Sequence, residues 1–388
     1  MVVGAGGARY CTHEGSGSAA TESGWYREDE TSPLAGVRFF CWEKTNIVQA
    51  LLRTTRRLIL GVALIYCIAV IALAALWAFS PSLAWWVELS NMLAPFFFVP
   101  LVVLIPLAAW VRWRPLLGVV AALTIVGAAM FGARLLPRAA AATGGTSLRV
   151  MTFNHLFANT RVEQIVDEIR AQNADVIALQ ELSNPVAQAL AQSLHDTYPY
   201  QYLRPFDNPQ GLGIISRFPF STTAETQNNV RGQQVTLAIG GQSLTIMNIH
   251  LGAPVIYGRK IAGIPIVTGY DASSPTRQVG RLSQLIDAID GPLVVMGDFN
   301  TSDREPRYQQ LATRLHDAFR ETNWGFGFTF PDHKRFGPIT IPFPVMRIDY
   351  VWSKNGVLPT AARVECHNTG ADHCFVVAEL QVGNTTGQ

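Results

Sequence analysis

Three uninterrupted apolar runs dominate the first part of the chain. Residues 58–79 hold twenty-two positions without a charge, and Arg53, Arg56 and Arg57 stand just before them. A helix of that length crosses a hydrocarbon core of about 30 Å. A second run covers 92–111, with Trp85, Trp86 and Trp110 near its ends, where interfacial aromatics gather. Pro95, Pro100 and Pro106 make this run irregular, kinked or partly re-entrant. A third spans 116–133. Such runs in close succession predict three transmembrane helices rather than the buried helices of a globular protein.

After residue 146 the pattern changes to short apolar runs separated by amphipathic stretches. Segments 148–153, 175–181, 211–216, 243–249, 294–296, 347–352 and 375–380 read as strands. Helices are predicted over 161–172, where Val162, Ile165, Val166 and Ile169 share a stripe, over 185–194, and over 277–289, with Val279, Leu282, Leu285 and Ile286 at helical spacing. Interleaved helices and apolar strands predict an α/β domain whose sheet is covered on both sides. The expected organisation is a disordered polar tail (1–45), a membrane domain (46–138), a short Ala/Gly/Thr linker (139–146) and a globular domain (147–388). The tail does not read as a signal peptide, because no apolar core follows within the usual distance.

Composition sharpens this division. The apolar content of 49% exceeds what a soluble domain usually shows, and the membrane runs account for the excess. Residues 1–146 carry 11 Lys/Arg against 7 Asp/Glu, whereas 147–388 carry 19 against 21. The globular part is therefore slightly acidic, which argues against a broad cationic face for tracking nucleic acid. Arginines before the first run, with Arg112 and Arg114 between the second and third, lie on one side of the membrane; the loop around 81–88 has no Lys or Arg. The positive-inside bias then places the N-terminus in the cytoplasm and the globular domain outside, in a multi-pass cell-membrane protein; Arg134 and Arg138 weaken this without reversing it. Cys366 and Cys374, eight apart, form either a disulfide or two free buried thiols.

The polar residues of the globular part stand at the ends of separate buried strands: Asn154, Glu181, His250, Asp298, Asn300, Asp372 and His373. Singly, each has an ordinary explanation as a turn former, helix cap or structural histidine. Jointly they predict strand ends converging on one site. The organising stretch is 294–300, Val-Val-Met-Gly-Asp-Phe-Asn, in which a buried strand ends at Gly297 and presents a carboxylate and a carboxamide two residues apart.

Thr-Phe-Asn154, Leu-Gln-Glu181, Asn248-Ile-His250, Gly297-Asp298-Phe-Asn300, Arg347-Ile-Asp349-Tyr and Asp372-His373 together resemble the ordered motifs of the endonuclease/exonuclease/phosphatase superfamily, across about residues 147–382. That superfamily includes DNase I-like nucleases, inositol polyphosphate phosphatases and neutral sphingomyelinases. The resemblance implies a four-layer α/β sandwich, two packed β-sheets flanked by helices, here preceded by three transmembrane helices. It implies a metal-dependent phosphoric ester hydrolase using Mg²⁺, with Mn²⁺ as the alternative ion. Glu181 and Asn154, with Asp372, supply hard oxygen ligands; Asp349 orients His373 as general base; His250 and Asn300 donate to phosphate oxygens; Asp298 orients the water or assists the leaving group. Asp372 also stands beside the base. No His/Cys cluster at short spacing supports a zinc site.

Two segments bear on the substrate. Residues 255–270 form an apolar, Gly-rich insert with Arg259 and Lys260, and 324–343 carry Trp324, Phe326, Phe328, Phe330, Phe336 and Phe343. Both adjoin motifs and are expected on the rim, either as ordinary covering loops or as an apolar lip beside the membrane. A lipid-headgroup phosphodiester is the favoured substrate, with a phosphomonoester also open. The alternatives are a membrane-tethered extracellular nuclease, whose aromatics stack bases, and a receptor that kept the fold and lost catalysis. Nucleic acid is the less favoured partner, and no protein partner is implied.

Overall fold

The structure, a computed structural model, describes residues 44–136, 144–262, 264–336 and 339–383. The polar tail expected over 1–45 lies outside the described residues save 44 and 45, and so do 139–143 of the linker expected over 139–146; Thr146, given to that linker, opens a strand. The chain divides into two units, 1–63 and 64–388. The described part of the first is the opening stretch of a 36-residue helix, Lys44–Phe79. All remaining elements belong to the second unit.

Three segments are long and apolar enough to cross a membrane: Val48–Phe79, Ala94–Val111 and Arg114–Arg134. The second is broken, as its prolines require. Helix Trp85–Met92 is followed by a 3₁₀ stretch Ala94–Phe98 with Pro95 in its first turn, and helix Leu101–Val111 restarts after Pro100. A ring without an N–H cannot continue the hydrogen-bond ladder, and the segment breaks around Pro95 and Pro100, whereas Pro106 is accommodated inside helix Leu101–Val111.

Two six-stranded sheets make up the globular part. The first runs Val357–Glu365, Phe375–Val382, Thr146–Asn154, Val176–Gln180, Leu212–Ser216, Tyr200–Arg204; the second runs His316–Asp317, Asp349–Lys354, Leu293–Asp298, Gln242–His250, Gly232–Ile239, Phe220–Glu225. Pairing is antiparallel except between Thr146–Asn154 and Val176–Gln180, and between Leu293–Asp298 and Gln242–His250. Between the sheets lie Val150, Ala178 and Ile214 from one and Val235, Ile246, Val294 and Met296 from the other. Helices Val162–Gln172 and Asn184–Ser193 cover the outer face of the first sheet through Ile165, Ile169 and Leu190. Ser273–Asp287 and Pro306–Ala312 cover the second through Val279, Leu282 and Leu311. This is the expected four-layer arrangement.

Local pattern missed several strands. Val357–Glu365 contains Pro359, where the register shifts against Phe375–Val382, and an edge strand tolerates both features. The insert after His250 is a separate two-stranded hairpin, Val255–Ile261 with Ile264–Asp271. Helix Ser273–Asp287 starts four residues earlier than its apolar stripe suggested, because the Asp271 carboxylate accepts the Ser273 N–H at 2.8 Å and turns the chain into the helix.

The N-terminal apolar elements after residue 63 grip one loop of the sandwich. Arg307 donates to Glu88 at 3.1 Å, the Asn91 amide donates to Arg304 O at 2.8 Å, and Arg134 pairs with Asp303. Residues flanking the second candidate span on its N-terminal side and ending the third thus meet 303–307. Phe326 packs against Phe131 at 5.7 Å and Phe328 against Phe96 at 5.7 Å.

Gly297 carries the sharpest local requirement. Its φ is +147°, and a Cβ there would sit 1.8 Å from Ile249 O. Close approach of adjacent strands at the site therefore depends on the missing side chain. Gly297→Ala is expected to destabilise the folded chain by on the order of 3 kcal/mol or more. A thermal-melt shift indistinguishable from zero would show that this approach is dispensable.

Candidate active site

Register alone gathers half of the site. In the second sheet Asp298 pairs with His250 on one side and with Asp349 on the other, so three neighbouring strands present these side chains in one row. In the first sheet Asn154 pairs with Gln180, which puts Glu181 one residue beyond. The two rows meet across the sandwich: the Asn154 amide donates to Asp298 Oδ2 at 3.0 Å and to Glu181 Oε1 at 3.3 Å. Glu181 and Asn300 hold left-handed φ values of +59° and +47°. Such conformations cost non-glycine residues of order 1–3 kcal/mol and concentrate at functional sites.

His373 arrives from the loop before Phe375–Val382. Its Nδ1 lies 2.9 Å from Asp349 Oδ2 and its Nε2 lies 3.9 Å from Asp298 Oδ2. The Phe330 ring packs on it at 4.7 Å. Asp349 is set from behind, where the Thr329 hydroxyl accepts the Ile348 and Asp349 N–H groups at 3.1 and 3.3 Å. Arg347, two residues earlier, is structural: it is buried, paired with Asp317 at 2.6 Å, and lies over the Tyr350 and Tyr308 rings. Cys366 and Cys374 form a disulfide that closes the loop carrying Asp372 and His373. That bond excludes the two sulfurs from metal ligation with nearby Asp332.

Burial and charge set the proton positions. Burial works against an imidazolium at His373, yet Asp349 and then Asp298 outweigh it and lift the ring's pKa to about 10. Asp298 is pushed up to about 7, chiefly by burial, with His373 opposing and Asp349 adding to the shift. His250 is pushed down to about 3 by burial and then by Arg231 and His373. One imidazolium, one neutral imidazole and one carboxyl group titrating near neutrality thus share one pocket.

Not every expected residue reaches outward. Asn300 is at the site, but its amide donates to Leu251 O at 2.9 Å and Asp298 Oδ2 at 3.2 Å, and its backbone N–H donates to Asp298 Oδ1 at 2.8 Å. It orients Asp298. Asp372 pairs with Lys334 at 2.5 Å and raises the His373 pKa from a distance, with no contact to Glu181 or Asn154 recorded among the described residues. Sequence reasoning missed Arg231, whose Nη1 lies 3.5 Å from His250 Nδ1. It belongs to no motif, and only strand pairing carries it there.

A divalent cation fits two neighbouring donor sets. Glu181 is only partly buried and offers a carboxylate, hard oxygen chemistry that suits such an ion; Asn154 reaches it through its amide nitrogen, while its oxygen accepts the Leu156 N–H at 3.1 Å. Asp298, Asp349 and His373 also lie within 4.8 Å of one another, and with His373 protonated the two carboxylates are the oxygen donors there.

Residues 151–373 match the model of the Endonuclease/Exonuclease/phosphatase family. The chain belongs to that family. Its members are metal-dependent phosphoester hydrolases, and the chain is an enzyme of that class. Solved structures similar to it include an endonuclease/exonuclease/phosphatase from Bacteroides vulgatus (18% identity, 61% of this chain and 100% of that one, TM-score 0.48). They also include D. rerio TDP2 complexed with a single-strand DNA product (18%, 61% and 99%, TM-score 0.47). A third is the human Nocturnin catalytic domain with bound sulfate (18%, 62% and 97%, TM-score 0.45). A search of curated proteins finds no match to the chain.

The two histidines should titrate in opposite directions from an ordinary ring. By ring-nitrogen NMR, His373 is expected to stay protonated at pH 8 and lose its proton near pH 10, with His250 still neutral at pH 5. Because the His373 pKa is raised on folding, its stabilisation is complete below the unfolded value near 6.5 and lost as pH rises through about 10. His373→Gln should therefore destabilise more at pH 6 than at pH 10.5; equal losses at both would refute the raised value.

Proposed function

We propose that this enzyme is a Mg²⁺-dependent phosphodiesterase acting on a lipid headgroup at the membrane surface, with its catalytic domain on the extracytoplasmic side. The observation that carries the chemistry is the Asp349–His373–Asp298 line at the buried end of the second sheet. Glu181 and Asn154 would hold the ion, which would neutralise charge developing on the phosphoryl oxygens. Asp298, held by Asn154 and Asn300 and titrating near 7, is poised to take a proton from attacking water. His373 carries its proton at neutral pH and so acts as a cationic hydrogen-bond donor to the phosphoryl group, rather than as the base its motif suggests. Asp349 keeps that ring charged and oriented. His250, neutral, adds a second donor through Nε2.

The lipid reading rests on surface chemistry. The hairpin that follows His250 shows Val255, Ile256, Tyr257, Ile261, Ile266 and Val267 between 41 and 57% exposed, with Arg259 and Lys260 at its far end. Apolar side chains beside cations suit the boundary between acyl chains and anionic headgroups. The hairpin also packs through Tyr270 on Met92, at the head of the second candidate span. The Cys366–Cys374 bond supports the extracytoplasmic side, since structural disulfides persist in oxidising compartments.

Full-length protein in nanodiscs with Mg²⁺, offered phospholipid vesicles, plasmid DNA and bis-p-nitrophenyl phosphate, tests the reading. Headgroup release from vesicles without plasmid nicking is the expected result; nicked plasmid with intact vesicles would make it a tethered nuclease. Asp298→Asn is expected to lower kcat about 10²–10⁴-fold, and His373→Ala to abolish turnover without unfolding the chain. A near-normal rate in either variant removes that residue's role.

A further inference from the structure

We propose that Phe326, Phe328 and Phe330 form a track for the hydrocarbon tail of a phospholipid substrate, leading from the candidate spans to His373. This rests on the lipid-headgroup reading above. The track begins at Gly325, whose N–H donates to Arg134 O at 2.5 Å, at the end of the third candidate span. Phe326 packs edge-on against Phe131 of that span at 5.7 Å and joins the apolar cluster of Trp77, Val87 and Ala94. Phe328 stacks with Phe326 at 5.1 Å, and with Phe96 in the proline break of the second candidate span at 5.7 Å. Phe330 lies 4.7 Å from the His373 ring. Three alternate residues thus carry aromatic surface from the ends of two candidate spans to the side of the reacting centre.

The segment is held in place from both flanks. Between Phe328 and Phe330, the Thr329 hydroxyl accepts the Ile348 and Asp349 N–H groups, and its carbonyl accepts the Cys374 N–H at 2.8 Å. Gly327 takes a left-handed φ of +63°, and a Cβ there would meet the Phe319 ring at 2.4 Å, so the backbone sits directly on a buried ring. Phe96, Phe326, Phe328 and Phe330 nonetheless stay partly exposed. An alkyl chain laid over them removes that apolar surface from water. A nucleobase needs a free ring face on which to stack. Phe328 stands at only 14° and 23° to Phe326 and Phe96, so these faces are spent on one another and edges are what they offer outward. Cations stand over both ends of the row, Arg304 over Phe131 at 5.2 Å and Lys334 over Phe330 at 4.8 Å. Apolar surface flanked by cations matches an alkyl chain joined to a phosphate ester.

The full chain with Mg²⁺ in mixed micelles of dioleoyl phosphatidylcholine and phosphatidylglycerol, compared with the same chain on water-soluble bis-p-nitrophenyl phosphate, decides this. Phe328→Ala should lower kcat/KM on the phospholipid at least about tenfold more than on the soluble ester, the scale of losing one large apolar contact. Tyr200→Ser, which removes an exposed aromatic at the opposite end of the first sheet, should leave both rates unchanged. Parallel losses on the two substrates in Phe328→Ala, or none on either, make the ring a brace between spans and sandwich; that overturns the track and leaves the lipid-headgroup reading intact. Absence of headgroup release by the wild type overturns that reading instead. The track is then tested alone by photo-crosslinking to phosphatidylcholine that carries a diazirine on its acyl chain. Label on 326–330 that falls in Phe328→Ala supports it, and label confined to the candidate spans refutes it. Should Phe328→Ala fail to fold, Phe326→Gln takes its place in both assays, and parallel losses with unaltered labelling refute the assignment.

Discussion

The site depends on polar bonding across one end of an otherwise apolar sandwich. Asp298, at the end of the second sheet, accepts from Asn154 of the first at 3.0 Å. Just inside, Gln180 donates to Asn248 at 2.7 Å, and Asn248 donates to Leu179 O and Gly213 O at 3.0 Å each. Buried amides of this kind are costly unless every partner is supplied. They therefore fix one alignment of the two sheets, which the non-directional packing of Val150, Ile246 and Met296 does not do by itself. With that alignment set, Glu181 and Asn154 from one sheet face His250, Asp298 and Asp349 from the other.

The same alignment explains the electrostatics. Two carboxylates flank His373 at the buried end: Asp349 and then Asp298 lift its pKa to about 10, while burial leads in raising Asp298 to about 7. Like charges in a desolvated pocket push their protonation states apart. At neutral pH His373 thus keeps a proton that an isolated imidazole would mostly have lost, and Asp298 titrates near neutrality, where an isolated carboxylic acid would already be fully ionised.

The loop after the Asp298–Asn300 turn has a second task. Arg304 and Arg307 hold Asn91 and Glu88, and Asp303 holds Arg134. Asp303 also lies near Arg320 and Arg347, so the residues flanking the candidate spans share a charge network with the segment that delivers Asp349. The aromatic stretch works alongside it: Phe326 and Phe328 pack on Phe131 and Phe96, and Phe330 packs on His373.

By itself the sequence determined the three apolar segments and the broken second one, since length and proline placement are local properties. It also determined the buried strands with their chemical residues, because an apolar run ending in a polar side chain is readable without knowing its neighbours. Tertiary structure decided what those residues touch. Asn300 reads as an outward donor in the motif, but Leu251 O and Asp298 use its amide. Asp372 reads as a metal neighbour, but Lys334 takes its carboxylate. Arg231 has no motif, and reaches the centre only because its strand pairs with the one ending at His250. The physical reason is common to all three. Hydrogen-bond direction and desolvation depend on the groups across the sandwich, and the spacing of residues along one strand carries no information about them.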